Sequence, residues 1–241
     1  MEKVTRLEDL RPLLDAQLQR GVCTNAFFTP EEYGDLIARN ALSCEVWEGG
    51  LALLVHRGDY DRLYFYLHGE LKPITLTRPT VLEIAYRPKD LALQDAGTQW
   101  EKIGFQRRLT RVRLCRPAVK PALAAELARP EEYPQVLALM EDCFDHRMGC
   151  IPTLDELSHV LCLRKNGICA ILHYKEGRQN TVAHLAVRAD CRRQGYGTRL
   201  LSMLEEKRTL VWTGQDNLPG IKLYEAAGFT PESWRSGVWL L

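Results

Sequence analysis

The sequence predicts an α/β chain made of two successive units with the same order of elements. Three observations lead there. Arg116-Pro117-Ala118-Val119-Lys120-Pro121 reads as a linker, because two prolines in five residues resist both helix and central strand. Helical and strand-like patterns follow one another in the same order on either side of it. Both sides also end alike, Trp100-Glu101-Lys102-Ile103-Gly104-Phe105 matching Tyr224-Glu225-Ala226-Ala227-Gly228-Phe229. In each case a short helix stops on a glycine suited to the left-handed C′ position, with an apolar residue after it. A match at that spacing, behind the same order of elements, points to duplication. We therefore divide the chain into 1–116, a linker at 117–121, and 122–241.

In the first half a helical pattern runs from Leu7 to Leu18. A second helix starts at Thr29-Pro30-Glu31-Glu32, with Thr29 as N-cap, Pro30 at N1 and Glu32 spaced for a capping box. Strands follow at 51–56 and 63–67, joined by a turn through Gly58, and another strand-like stretch covers 81–86. The second half repeats the plan. One helix covers Tyr133 to Cys143, and another is expected from Thr153-Leu154-Asp155-Glu156, again with capping-box spacing. Strands at 168–173 and 182–187 come next. Then the halves differ. Val182 to Val187 leads into Arg192-Arg193-Gln194-Gly195-Tyr196-Gly197-Thr198 and a helical pattern from Arg199 to Leu204. A strand feeding a basic, glycine-bearing loop that opens a helix is an anion trap, since loop amides and the helix N-terminus point at a phosphate. The first half has no such loop.

Composition narrows the classes. The chain has 241 residues, 46% hydrophobic and 26% charged, with a net charge of +1, which describes a globular protein without a global pull toward nucleic acid or an anionic membrane. No basic and aromatic stripe supports nucleic-acid binding. No apolar stretch approaches a membrane span, and the first residues lack the regions of a signal peptide. Cysteines stand at 23, 44, 115, 143, 150, 162, 169 and 191 without a C-x-x-C pair, so no zinc ribbon or redox dithiol is expected. Reduced thiols and a cytoplasmic location are the expectation, with no metal and no membrane. Cys191, beside the glycine loop, reads as a small apolar filler.

With the loop placed between strand and helix, a resemblance can be named. Arg192 to Gly197 resembles the Q/R-x-x-G-x-G/A motif of the GNAT superfamily of N-acetyltransferases, and Asn217 with Leu223-Tyr224-Glu225-Ala226-Ala227-Gly228-Phe229 resembles its second motif. The resemblance covers about 122–241 well and 1–116 in outline. It implies two tandem GNAT-like units, the first degenerate, with mixed, mostly antiparallel sheets flanked by helices. It implies acetyl-CoA as acyl donor, its pantetheine along Leu185, Ala186 and Val187 and its pyrophosphate on the amides from Arg193 to Thr198. It makes Tyr224 the general acid that protonates the leaving thiolate, and gives Asn217 a hydrogen bond to the donor's arm. Gly195 and Gly197 are expected to keep Cβ atoms off the phosphates. Trp100, the counterpart of Tyr224, has no hydroxyl, which leaves the first half silent.

The acceptor is an amine of unspecified identity. Its base is open. His184 alternates away from the face of Leu185 and Val187 and reads as a core histidine. Thr181 falls where some family members carry a glutamate. Glu141, Asp142, Asp145 and His146 read as solvated surface, or as groups that attract a cationic amine. The loop Val22 to Phe28 is expected to contribute to the acceptor pocket. Two other readings compete with this one. A CoA-binding sensor or interaction module keeps the fold without turnover. A Rossmann dinucleotide site lacks its third glycine, since position 200 is Leu, and leaves 217–229 without a role.

Overall fold

The computed structural model describes residues 1–241 and resolves into two compact units. Unit 1 is Met1–Thr110 with Trp234–Leu241, and unit 2 is Arg111–Ser233. In chain order the elements begin with β1 (Glu2–Lys3), α1 (Leu7–Leu18), β2 (Cys23–Thr24), α2 (Pro30–Ala38), β3 (Leu42–Trp47), β4 (Gly50–Arg57), β5 (Tyr60–Leu67), β6 (Thr80–Tyr86), α3 (Leu91–Lys102) and β7 (Gln106–Arg116). They continue with α4 (Tyr133–Cys143), β8 (Val160–Arg164), β9 (Ile168–Lys175), β10 (Asn180–Val187), α5 (Tyr196–Ser202), β11 (Thr209–Gly214), α6 (Leu218–Ala226) and β12 (Thr230–Leu240). The division falls inside β7 and β12, so the last strand closes unit 1 although unit 2 precedes it in the chain.

Local chemistry explains most of unit 1. The capping box forms as its residues predict: Thr29 Oγ1 accepts from the Glu32 amide at 3.2 Å, and the Glu32 carboxylate accepts from the Thr29 amide at 2.7 Å. Gly58, at φ 44°, makes the tight turn between β4 and β5. Strands β3, β4 and β5 pair antiparallel, and β6 pairs antiparallel with 235–240 of β12. The one parallel pair is β5 with β6, and it covers only Asp61↔Thr80, Arg62↔Val81 and Leu63↔Leu82. On one sheet face α3 packs Trp100 against Phe65 and Phe105. On the other, α1 and α2 pack Leu10 and Tyr33 against Leu42, Leu51 and Leu53.

Unit 2 has the same design. β8, β9 and β10 pair antiparallel, β11 pairs antiparallel with 111–116 of β7, and β10 runs parallel to β11. That parallel pair also covers three positions only, Asn180↔Thr209, Thr181↔Leu210 and Val182↔Val211. Helices α5 and α6 pack Leu200, Leu201 and Tyr224 against one face, and α4 packs Val136, Leu139 and Met140 against the other.

One expected helix is absent. Thr153–Glu156 makes its cap contact, the Glu156 carboxylate accepting from the Thr153 amide at 3.0 Å, but the helix stops after the single 3-10 turn Leu154–Glu156. His159 takes a left-handed φ of 46°, and Val160 enters β8, whose ladder with β9 claims the chain. The C′ glycines behave as their position demands, with φ 111° at Gly104 and 86° at Gly228. No helix is long and apolar enough to cross a membrane.

Candidate active site

The site in unit 2 begins where β10 and β11 part. Beyond Val182↔Val211 the two strands no longer pair, and β10 runs on through Val187 with only β9 beside it. A bulge sharpens the divergence. Val182 pairs with Tyr174 and His184 with His173, so Ala183 is unpaired and exposed. Leu185 and Val187 lean toward the α5 and α6 face, while Ala186 lies on the α4 face.

The loop after β10 is fixed at both ends. Arg192 Nε donates to the Val187 carbonyl at 3.0 Å, so that acceptor is already engaged. Gln194 Nε2 donates to the Asp190 carbonyl at 2.8 Å, and its Oε1 accepts from Lys165 at 3.1 Å. Arg193 and Gly195 both take left-handed conformations, φ 60° and 80°. No side chain caps α5, so the amides of Tyr196, Gly197 and Thr198 in its first turn are open to a ligand.

Within the chain itself the two glycines meet different demands. A Cβ at Gly195 would meet nothing within 4 Å, and its requirement is the positive φ. A Cβ at Gly197 would stand 2.9 Å from Leu223 Cδ2 and 3.6 Å from Leu185 Cδ2, so this glycine lets α5 lie close to α6 and β10.

Helix α6 supplies the other wall. Asn217 is its N-cap: Oδ1 accepts from the Gly220 amide at 3.1 Å and Nδ2 donates to Thr213 Oγ1 at 3.0 Å. Tyr224 packs edge-on to Phe229 at 5.6 Å, in the cluster that holds Leu185, Val187 and Tyr196. Burial alone raises its phenol well above the usual value, so the hydroxyl is a proton carrier throughout the neutral range.

His184 is a core residue. Its Nε2 donates to the Gly149 carbonyl at 2.8 Å, which leaves its Nδ1 as the acceptor facing His173 Nδ1 at 3.2 Å. Burial pushes His173 down to about 4 and lowers His184 as well. Both imidazoles are therefore neutral at pH 7, and His184 anchors the loop that follows α4. In that loop Asp145 Oδ1 accepts from the amides of Arg147 and Met148, while Glu141, Asp142, Asp145 and His146 are exposed. Thr181 is half-buried in the paired base of the splay. Cys191 is fully buried in the α5 core cluster.

Sequence reasoning missed a corresponding feature in unit 1. There the gap beyond Leu63↔Leu82 is filled by the chain itself. Asn25 Nδ2 donates to the carbonyls of Leu63 on β5 and Glu83 on β6, at 3.2 and 2.9 Å, and its Oδ1 accepts from the Phe65 amide at 2.8 Å. Thr24 Oγ1 donates to the Phe65 carbonyl at 2.6 Å, and β2 pairs with the end of β5. The polar groups of Thr24 and Asn25 are thus spent inside unit 1. Nothing local in the sequence marks this, because every partner lies about 40 residues or more away.

Comparison with known proteins bears on unit 2. Residues 156–231 match the family model described as the acetyltransferase (GNAT) domain. No curated protein sequence matches the chain. Among solved structures, an acetyltransferase from the GNAT family of Colwellia psychrerythraea superposes with a TM-score of 0.57 at 12% identity, over 99% of this chain and 98% of that one. A GCN5-related N-acetyltransferase from Sphaerobacter thermophilus gives 0.55 at 12% identity, over 100% and 94%. The GCN5-related glucosamine N-acetyltransferase region of a fungal multi-domain beta-N-acetylglucosaminidase gives 0.64 at 12% identity, over 98% of this chain and 37% of that chain. At such identities the likeness is one of fold. The family model lies over the splayed strands, the glycine loop and α6, so these elements of unit 2 are similar to those of an acetyltransferase (GNAT) domain.

Proposed function

We propose that unit 2 transfers an acetyl group from acetyl-CoA directly to an amine. The observation that carries this reading is the unfilled splay between β10 and β11, flanked by the uncapped first turn of α5 and by Tyr224. An extended amide-bearing arm pairs with the open backbone at Leu185 and Ala186, next to Val187. The diphosphate sits on the amides from Arg193 to Thr198, with Arg192 holding the loop to its strand. Asn217 keeps α6 beside the arm.

The amine attacks the thioester carbonyl as the free base, after its ammonium proton has left to water. The new C–N bond forms as the C–S bond breaks, and an amide N–H of β10 stabilises the oxyanion between them. The thiolate takes its proton from Tyr224. A phenol is a weaker acid than a thiol in water, roughly 10 against 8.5. That gap of roughly 1.5 units makes the transfer a small uphill step for a thiolate released beside the hydroxyl. The acceptor is proposed to enter along the loop Phe144–Cys150 that His184 anchors. We further propose that the two units arose by duplication and that unit 1 holds no acyl donor.

The test is release of free CoA from acetyl-CoA by the purified full chain across a panel of small amines, amino acids, peptides and aminoglycosides. Turnover with at least one amine supports the proposal. Tight acetyl-CoA binding without CoA release from any of them would overturn it in favour of a binding module.

A further inference from the structure

A linked serine, histidine and aspartate stand in unit 1, at the corner where β4 turns into β5. Ser43 on β3 reaches across the sheet to His56 on β4, Oγ to Nε2 at 2.8 Å. His56 Nδ1 meets Asp61 Oδ1 on β5 at 2.9 Å. Asp61 in turn takes the Arg78 guanidinium at 3.0 Å and is 4% exposed, so its charge is held and neutralised within the fold. A carboxylate only accepts hydrogen bonds, so Nδ1 of a neutral His56 carries the proton and donates. Nε2 is then the acceptor, and the Ser43 hydroxyl donates to it. Hydroxyl, imidazole and buried carboxylate stand in the order, spacing and tautomer that activate a serine. Ser43 is buried at 9%, and the His56 side chain beside it is 31% exposed, so a small molecule would reach the hydroxyl past the imidazole edge.

The fold does not require these residues there. Asp61 begins the parallel pair of unit 1 as Asn180 begins that of unit 2. The matching corner of unit 2 is built from a His159–Glu176 ion pair at 3.1 Å and an Asn180 whose side-chain nitrogen and oxygen are both unpartnered. One corner holds an unconnected set, and the other carries a three-membered relay.

We propose that Ser43, His56 and Asp61 form an activated-serine site that takes small acyl esters. Ser43 Oγ forms a bond to the acyl carbon while its proton passes to His56 Nε2. The ester C–O bond breaks, and the leaving alkoxide collects that proton. Water then attacks the acyl-serine by the same route in reverse and regenerates the hydroxyl. The net change is ester and water to acid and alcohol, with no oxidant or metal involved. Asp61 is the positioning residue that fixes the tautomer.

The folded full chain treated with diisopropyl fluorophosphate, digested and analysed by mass spectrometry should carry its adduct on Ser43. Ser43→Ala should remove that adduct. His56→Gln, which leaves the Asp61–Arg78 pair in place, should slow labelling about 100-fold. Release of p-nitrophenol from p-nitrophenyl acetate should fall in parallel, with thermal melts confirming that both variants are folded. No adduct on Ser43 of the parent chain, or labelling of a folded His56→Gln variant at the parent rate, would overturn the proposal.

Discussion

Two clefts of the same construction meet opposite fates in this chain. In each unit a parallel strand pair lasts three positions and then parts. In unit 1 Asn25 and Thr24 enter the gap and satisfy backbone groups of β5 and β6. In unit 2 Arg192 and Cys143 reach the Val187 carbonyl at the far end of β10, and no asparagine plug stands at Leu185. Counting from the parallel pair, Leu63 corresponds to Val182, and after the Ala183 bulge Phe65 corresponds to Leu185. The amide that Asn25 occupies in unit 1 is thus the counterpart of the one proposed to meet the acyl donor in unit 2. An asparagine side chain is an amide, so unit 1 holds in covalent form the group that a pantetheine arm would bring. The residues above the gap differ in the same sense. Trp100 packs on Phe105 as Tyr224 packs on Phe229, but only the tyrosine carries a hydroxyl.

Four measurements break or sharpen this contrast. The largest effect is expected for Tyr224→Phe, which keeps the ring and removes the proton: kcat should fall about 10²- to 10⁴-fold with acetyl-CoA affinity unchanged. Equal loss of affinity and rate would mean that the hydroxyl serves binding instead.

Acid should distinguish the units next. The buried His173–His184 level of unit 2 corresponds to Leu53 and Tyr64 in unit 1. His173 titrates near 6.5 when unfolded and about 4 when folded, so below 6.5 the unfolded chain takes up a proton that the native chain refuses. Its contribution is whole above pH 6.5 and is lost as pH falls toward 4, on the order of 2–3 kcal/mol. Thermal melts at pH 7, 5.5 and 4 should show unit 2 weakening first, and a His173→Leu variant should flatten that dependence. A slope unchanged in the variant would place the acid-sensitive group elsewhere.

Asn25→Ala should destabilise unit 1 by about 2 kcal/mol, since it leaves backbone groups of Leu63, Phe65 and Glu83 without their partner. We expect a midpoint lowered by about 5 °C and no change in acetyl-CoA binding by unit 2. Gain of a second acetyl-CoA equivalent would show that the plug alone keeps unit 1 empty. The smallest effect is expected for Gly195→Ala. Its φ of 80° costs an alanine about 1 kcal/mol, read as roughly fivefold weaker acetyl-CoA binding by calorimetry.

What the sequence reveals divides along the same line. Features carried by neighbouring residues were legible: Leu7–Leu18 and Tyr133–Cys143 form helices over those very spans, Thr29 and Glu32 make their box, and Gly104 and Gly228 turn left-handed. The glycine loop and the Tyr224 helix could be found because each motif occupies a few consecutive positions. Asn217 carries a local signal besides the motif. Asn217-Leu218-Pro219 is itself a cap signal, and both of its side-chain polar atoms are engaged in capping and anchoring α6. The Asn25 plug, the bulge at Ala183 and the Ser43 relay depend on strand register between distant segments, and no local pattern encodes that. The failed helix at Thr153 is the converse case, a correct local signal overruled by the β8–β9 ladder.

The position of Trp234–Leu241 has a consequence for synthesis. Strand β12 pairs Leu240 with Val81 and Arg235 with Tyr86, across some 150 residues of intervening chain. While the ribosome works, unit 2 has all of its residues before unit 1 receives its last strand. Until then the edge of β6 stays bare, with Trp239 missing from the core that surrounds Trp100. The N-terminal unit is therefore the later one to mature, and closing so long a loop makes that step slow. A chain released after residue 233 should bind acetyl-CoA while its first unit is still open to protease.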